Sequence, residues 1–134
     1  MGKLQSKTVV VVDDEPALAL TYRLFIQREG HAAFSAESYQ DAVNTLSECD
    51  AVDLLLTDLA LDSKYTGFDV IDAARSRFPE LPCVIITGYA TDAVIDRATA
   101  IGVLVLHKPV PIEYLLETIR KSLDVTATLD RKAS

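Results

Sequence analysis

Five side chains able to handle a metal ion or a phosphoryl group each stand at or next to the end of a short apolar run. Asp13 and Asp14 follow Val9-Val10-Val11-Val12, Asp58 follows Leu54-Leu55-Leu56-Thr57, Thr87 follows Cys83-Val84-Ile85-Ile86, and Lys108 follows Val103-Leu104-Val105-Leu106-His107. Paired carboxylates are hard oxygen donors of the kind Mg²⁺ takes, few in number and supplemented by water. A carboxylate can also attack phosphorus and form an acyl phosphate when a nearby cation offsets charge repulsion. The Lys108 ammonium could neutralise phosphoryl oxygens, and the Thr87 hydroxyl could hydrogen-bond them. Each residue has a plainer use. Asp13-Asp14-Glu15 would favour the positive end of a following helix, Asp58 would cap a helix or turn, Thr87 suits a strand, and Lys-Pro is a common surface turn. Their order and spacing together point to phosphoryl transfer.

The elements that must bring these residues together alternate regularly. Short apolar runs suit strands buried on both faces of a parallel sheet, whose carboxyl ends share one edge where ligands bind. Between the runs, residues 17–29 read as a helix with Pro16 at its entrance and Gly30 as its stop, with Ala17, Leu20 and Leu24 sharing a face. A less apolar strand is expected at 31–36. Ser38 with Asp41 then resembles a capping box for a helix carrying Ala42, Val43 and Leu46. A polar loop over 59–67 leads to a helix with Phe68, Ile71, Ala74 and Phe78 on one face, ended by Pro79. Thr91 caps a helix that stops at Gly102, and Ile112, Leu115, Leu116, Ile119 and Leu123 stripe the last one. Five strands alternating with five helices predict one doubly wound α/β domain over residues 7–123, with 124–134 a polar tail or the start of a linker. Two strand orders remain open on periodicity alone.

Composition narrows the class. The chain has 134 residues, 49% hydrophobic and 25% charged, enough apolar material for one core. The longest apolar run is far below the roughly 20 residues of a membrane span, and Met1-Gly2-Lys3 introduces no secretory h-region. Cys49 and Cys83 stand apart without metal-type spacing, as reduced cytoplasmic thiols would. A net charge of −7 and a pI near 4.7 argue against direct contact with nucleic acid. Asp13-Asp14-Glu15 also occupies the place where a dinucleotide fold needs its glycine-rich turn.

Over residues 7–123 the chain resembles the receiver domain of two-component response regulators. The resemblance rests on Val-Val-Asp-Asp-Glu-Pro (11–16), Leu-Leu-Leu-Thr-Asp (54–58), Ile-Ile-Thr-Gly-Tyr-Ala (85–90) and His-Lys-Pro-Val (107–110). It implies a flavodoxin-like sheet in the order 2-1-3-4-5, with two helices on one face and three on the other. It further implies that Asp58 accepts a phosphoryl group from a phosphohistidine of a sensor histidine kinase or histidine phosphotransfer protein. Asp13, Asp14, Asp58 and the backbone carbonyl of Ala60 would hold Mg²⁺, while Thr87 and Lys108 would contact the phosphoryl group. The expected output is a switched surface for a downstream protein partner, so the domain would be a signalling module and not an enzyme.

The chain departs from the family pattern in three places. Val105 stands where the family often has an aromatic switch residue, and Tyr89 is the nearby aromatic. The loop after Asp58 lacks the usual proline and is one residue longer before Gly67, through Asp62-Ser63-Lys64-Tyr65. No output domain follows the last helix, which fits either a stand-alone receiver or one cut from a larger protein. The wording Leu-His-Lys-Pro-Val (106–110) is similar to receivers of hybrid kinases. Two other readings are an aspartyl-phosphate, metal-dependent phosphohydrolase and a non-phosphorylated docking receiver. The first calls for Asp-x-Asp after the first strand, and the second does not need Asp13, Asp14, Asp58, Thr87 and Lys108 together.

Overall fold

The computed structural model describes residues 6–133, with side chains described as far as Asp124; the N-terminal segment read for a signal lies outside them. Ten elements alternate: β1 (Thr8–Val12), α1 (Pro16–Arg28), β2 (Ala32–Ala36), α2 (Tyr39–Glu48), β3 (Leu54–Asp58), α3 (Gly67–Arg77), β4 (Cys83–Thr87), α4 (Asp92–Ala100), β5 (Leu104–His107) and α5 (Ile112–Ala133). All five strands are parallel, in the order β2-β1-β3-β4-β5. β3 and β4 are buried throughout, which explains why they read as unbroken apolar runs.

The period of two in β1 divides its valines between two cores. Val10 and Val12 pack with Ala42 and Leu46 of α2, Phe68, Ile71 and Ala74 of α3, and Ala98 of α4. Val9 and Val11 pack with Tyr22 and Ile26 of α1 and Leu115, Ile119 and Leu123 of α5. The helices therefore divide three and two between the faces. Burying each such Leu or Ile contributes roughly 1.5–3 kcal/mol before entropy is counted, so the sheet edge that carries the site rests on both cores.

Two local readings need correction. The buried face of α1 is Ala19, Tyr22 and Ile26, whereas Ala17, Leu20 and Leu24 face solvent. Both faces of α1 are apolar, so helical spacing alone could not choose between them. At α2, Ser38 Oγ does accept from the Asp41 amide at 3.1 Å, but Asp41 Oδ2 accepts from the Glu37 amide instead of closing a box on Ser38. The reciprocal capping box lies at α3, where Thr66 and Asp69 serve each other. Gly30 and Gly102 do end their helices, at φ +95° and +69°, a region that glycine enters without penalty. α5 keeps its helical backbone to Ala133, beyond Leu123 where the apolar stripe stops, so the polar segment from Asp124 continues the helix.

Candidate functional site

Asp13 sits one residue beyond β1 and is 2% exposed, because β1 lies between β2 and β3. Its amide donates to the Ala36 carbonyl at 3.0 Å, and its Oδ1 accepts from the Glu15 amide at 2.9 Å. The main chain of Asp13 is thus tied to β2, and its side chain is held by the Glu15 amide. Asp14 is exposed beside it. Asp58, the last residue of the neighbouring strand, is 8% exposed. One carboxylate oxygen from each of Asp13, Asp14 and Asp58 lies within 4.8 Å of the others. Three hard donors so grouped suit a small divalent cation.

Lys108 reaches these carboxylates from beyond β5, the far edge strand. Its Nζ lies 3.0 Å from Asp58 Oδ2 and 3.1 Å from Asp13 Oδ2, so one ammonium bridges both acids. The Lys108 amide donates to the Thr87 carbonyl at 2.9 Å, and a cis peptide bond leads to Pro109. Burial pushes the Asp58 carboxyl up; Lys108 pulls it down, Asp13 pushes it up, a backbone bond from Ala60 pulls it down, and the net direction is upward. For Lys108, burial lowers the pKa, but hydrogen bonds and charge from Asp58 and Asp13 outweigh it and the net direction is upward. The cation is therefore held charged, while the acid remains costly to ionise.

Thr87 is fully buried at the end of β4, and its Oγ1 accepts from the Tyr89 amide at 3.0 Å. Tyr89 itself is 72% exposed, and Val105 is half-buried against the core of α2, α3 and α4. Position 105 itself carries no aromatic ring to couple with Thr87.

Spacing did not reveal three features around the carboxylates. Gly67 is the first: a Cβ there would overlap the Asp58 carbonyl. Tyr22 is the second, buried on α1 and raised in pKa by burial, with Lys108 lowering it and Asp13, Asp58 and Glu15 raising it. Its position three residues from Ala19 and four from Ile26 could have marked it, had the correct face of α1 been chosen. The third is the ordered loop between β3 and α3. Asp62 Oδ1 accepts from the amides of Lys64 and Tyr65, each at 2.8 Å; Ala60 pairs antiparallel with Thr66; and the Tyr65 ring stacks on Tyr39.

The sequence matches the family model described as "Response regulator receiver domain" over residues 9–120. It is 32% identical over 118 residues to the alginate biosynthesis transcriptional regulatory protein AlgB of Pseudomonas syringae, covering 87% of this chain and 26% of that protein. It is 26% identical over 121 residues to the sensor kinase CckA of Brucella abortus, covering 89% of this chain and 13% of the kinase. The chain thus spans about a quarter or less of these relatives. Among solved structures, the CheY-like receiver domain protein from Methanospirillum hungatei superposes with a TM-score of 0.85 at 23% identity, covering 92% of this chain and 98% of the other. At that identity the superposition speaks for the fold.

Proposed function

Because the chain belongs to the response regulator receiver domain family of two-component signalling, we propose that Asp58 is its phosphoacceptor and that a histidine-containing kinase or phosphotransfer protein is the donor. The observation that carries this reading is the Lys108 ammonium bridging Asp13 and Asp58 at the carboxyl edge of the sheet. Asp13, Asp14, Asp58 and the Ala60 carbonyl would hold Mg²⁺, for which the hard-oxygen donor set fits. When bound, that ion would neutralise part of the charge that builds up on the phosphoryl oxygens.

In this mechanism a carboxylate oxygen of Asp58 attacks phosphorus in line with the leaving imidazole. The new O–P bond forms as the P–N bond breaks, and the imidazole keeps the electron pair and takes a proton from water. Lys108 then exchanges its Asp58 contact for a phosphoryl oxygen, so its charge is already in place as the reaction begins. The Thr87 hydroxyl turns toward the same group and gives up its bond to the Tyr89 amide. That loss frees the turn after β4 and biases α4 between two positions. With Val105 in place of an aromatic, the turn at Gly88–Ala90 is the route by which the signal leaves.

Residues 7–123 act on this reading as the receiver unit, and 124–134 lead away as a polar tail or the start of a linker. The domain is a phosphoryl acceptor for protein partners and not a turnover enzyme. Its acidity disfavours direct contact with nucleic acid. Among the described residues no helix is long and apolar enough to cross a membrane, and a cytoplasmic setting suits a phosphorelay. The phosphohydrolase reading gains no support from the family match.

The test is incubation with acetyl phosphate and Mg²⁺, followed by intact mass. Wild type should gain one phosphoryl group and Asp58→Ala none; an adduct that persists in Asp58→Ala would overturn the assignment.

A further inference from the structure

Tyr39 and Tyr65 come from segments that follow different strands, β2 and β3, which flank β1 in the sheet. Their ring centroids are 3.9 Å apart and their planes lie within 10° of parallel. On the β2 side, the Ala36 carbonyl that precedes Tyr39 by three residues accepts the Asp13 amide at 3.0 Å. On the β3 side, Tyr65 belongs to the loop whose Ala60 pairs with Thr66 and whose Gly67 amide donates to the Leu59 carbonyl at 2.8 Å. Ala60 also donates a backbone hydrogen bond to the Asp58 carboxylate. The stack therefore closes a circuit that runs from Asp13 through the start of α2 to the backbone at Asp58 and Ala60.

We propose that the Tyr39–Tyr65 stack is a positioning pair for the cation site, holding the loop after Asp58 in the conformation that presents Ala60. The proposal rests on the reading of Asp13, Asp14, Asp58 and Ala60 as the Mg²⁺ site. The physical reason is entropic. The loop spans residues 59–66 and is exposed from Asp62 to Thr66, with its apolar anchors, buried Leu61 and half-buried Leu59, both lying before that exposed tip. A loop of that length must be ordered before its carbonyl can serve a metal with strict octahedral demands. The Asp62 turn orders the tip internally, but of these contacts only the stack ties the tip to another element. Ring overlap, not the hydroxyl, supplies the attraction. The lengthened loop that departs from the family pattern thus carries its own anchor, and that anchor is Tyr65.

The test uses the full chain and Mg²⁺ itself, with affinity measured by titration calorimetry and loop order by amide hydrogen exchange over residues 59–66. Tyr65→Ala and Tyr39→Ala should each weaken Mg²⁺ about threefold to tenfold and speed exchange in the loop, and the double variant should be no worse than either. Tyr65→Phe should retain wild-type affinity. In acetyl phosphate assays, Tyr65→Ala should need more Mg²⁺ to reach half-maximal phosphorylation but reach the wild-type rate at saturation. Wild-type affinity in Tyr65→Ala, or a lowered saturated rate with unchanged Mg²⁺ dependence, would overturn the positioning role alone. Failure of wild type to bind Mg²⁺, or binding untouched by Asp13→Asn, would overturn the site reading and this proposal with it.

Discussion

Gly67 lies against Asp58 so closely that a Cβ placed on it would overlap the Asp58 carbonyl oxygen and stand 3.2 Å from the Thr57 methyl. The first residue of α3 and the last residue of β3 are thus packed backbone to backbone, with both Thr57 and Asp58 buried. Gly67→Ala should lower stability by about 1–3 kcal/mol through overpacking and reduce phosphorylation of Asp58. Gly88, beside Thr87, has open space around its missing Cβ. Gly88→Ala should therefore leave stability within about 0.5 kcal/mol of wild type. Chemical denaturation of both variants makes the comparison, and equal effects would show that the close approach at Gly67 is unimportant.

Removing the cation from the acid pair should be costly only while nothing replaces it. Lys108 is 22% exposed and its partners are nearly buried, so Lys108→Ala leaves Asp13 and Asp58 facing each other uncompensated. In chelator this variant should lose about 1–3 kcal/mol. Millimolar Mg²⁺ should restore most of the loss if the carboxylates hold the ion. Thermal melts with and without Mg²⁺ read this directly. Phosphorylation should persist at a reduced rate, with a weakened conformational response.

Asp58 supplies a pH signature. Its pKa is raised by burial above the ordinary 3.8, despite the pull of Lys108, so the folded chain binds that proton more tightly than the unfolded chain. The sign follows: Asp58 contributes most stability below pH 3.8, and that contribution is lost as pH rises through the folded pKa. In chelator, Asp58→Asn should therefore be more stable than wild type at neutral pH, and the gap should narrow toward pH 4. Denaturation at stepped pH measures it. A gap that widened on acidification would reverse the assignment of burial as the dominant influence.

Cys83 offers an independent check on the core. Burial pushes its thiol up to about 11, with Arg75 lowering it less. Thiolate is the reactive form, so iodoacetamide at pH 8 should leave Cys83 unmodified in the folded protein and label it promptly in denaturant. Cys49, half-buried and also raised by burial, should react first. Peptide mass mapping over time distinguishes the two thiols.

Sequence carried the topology well because the strand signal and the site signal coincide. The apolar runs before Asp13 and Asp58 are buried on both faces, and full burial erases the alternation that would otherwise obscure them. The run before Lys108 forms edge strand β5, where Leu104 and His107 are exposed, so it read as a strand although it is not buried on both faces. The face of α1 was not legible because Leu20 and Leu24 lend it a second apolar stripe that is exposed. Tyr22 was hidden by the same ambiguity. The α3 cap escaped because Thr66 and Asp69 sit at the end of a polar loop, where many residues could cap. The Tyr39–Tyr65 stack joins residues 26 positions apart with no periodic relation, so only the folded arrangement exposes it.

Lys108 and Asp13 are separated by 95 positions, and the strands that carry them are not neighbours in the sheet. Loop closure over that distance comes late, after more local contacts have formed. During synthesis Asp13 and Asp58 both emerge before Lys108, so until β5 docks the acid pair lacks the ammonium that bridges it. The Lys108 bridge thus reports that the edge strand has docked: before then the acid pair lacks its ammonium, and on the reading of Asp58 as phosphoacceptor its phosphorylation would run only at the reduced rate expected of Lys108→Ala.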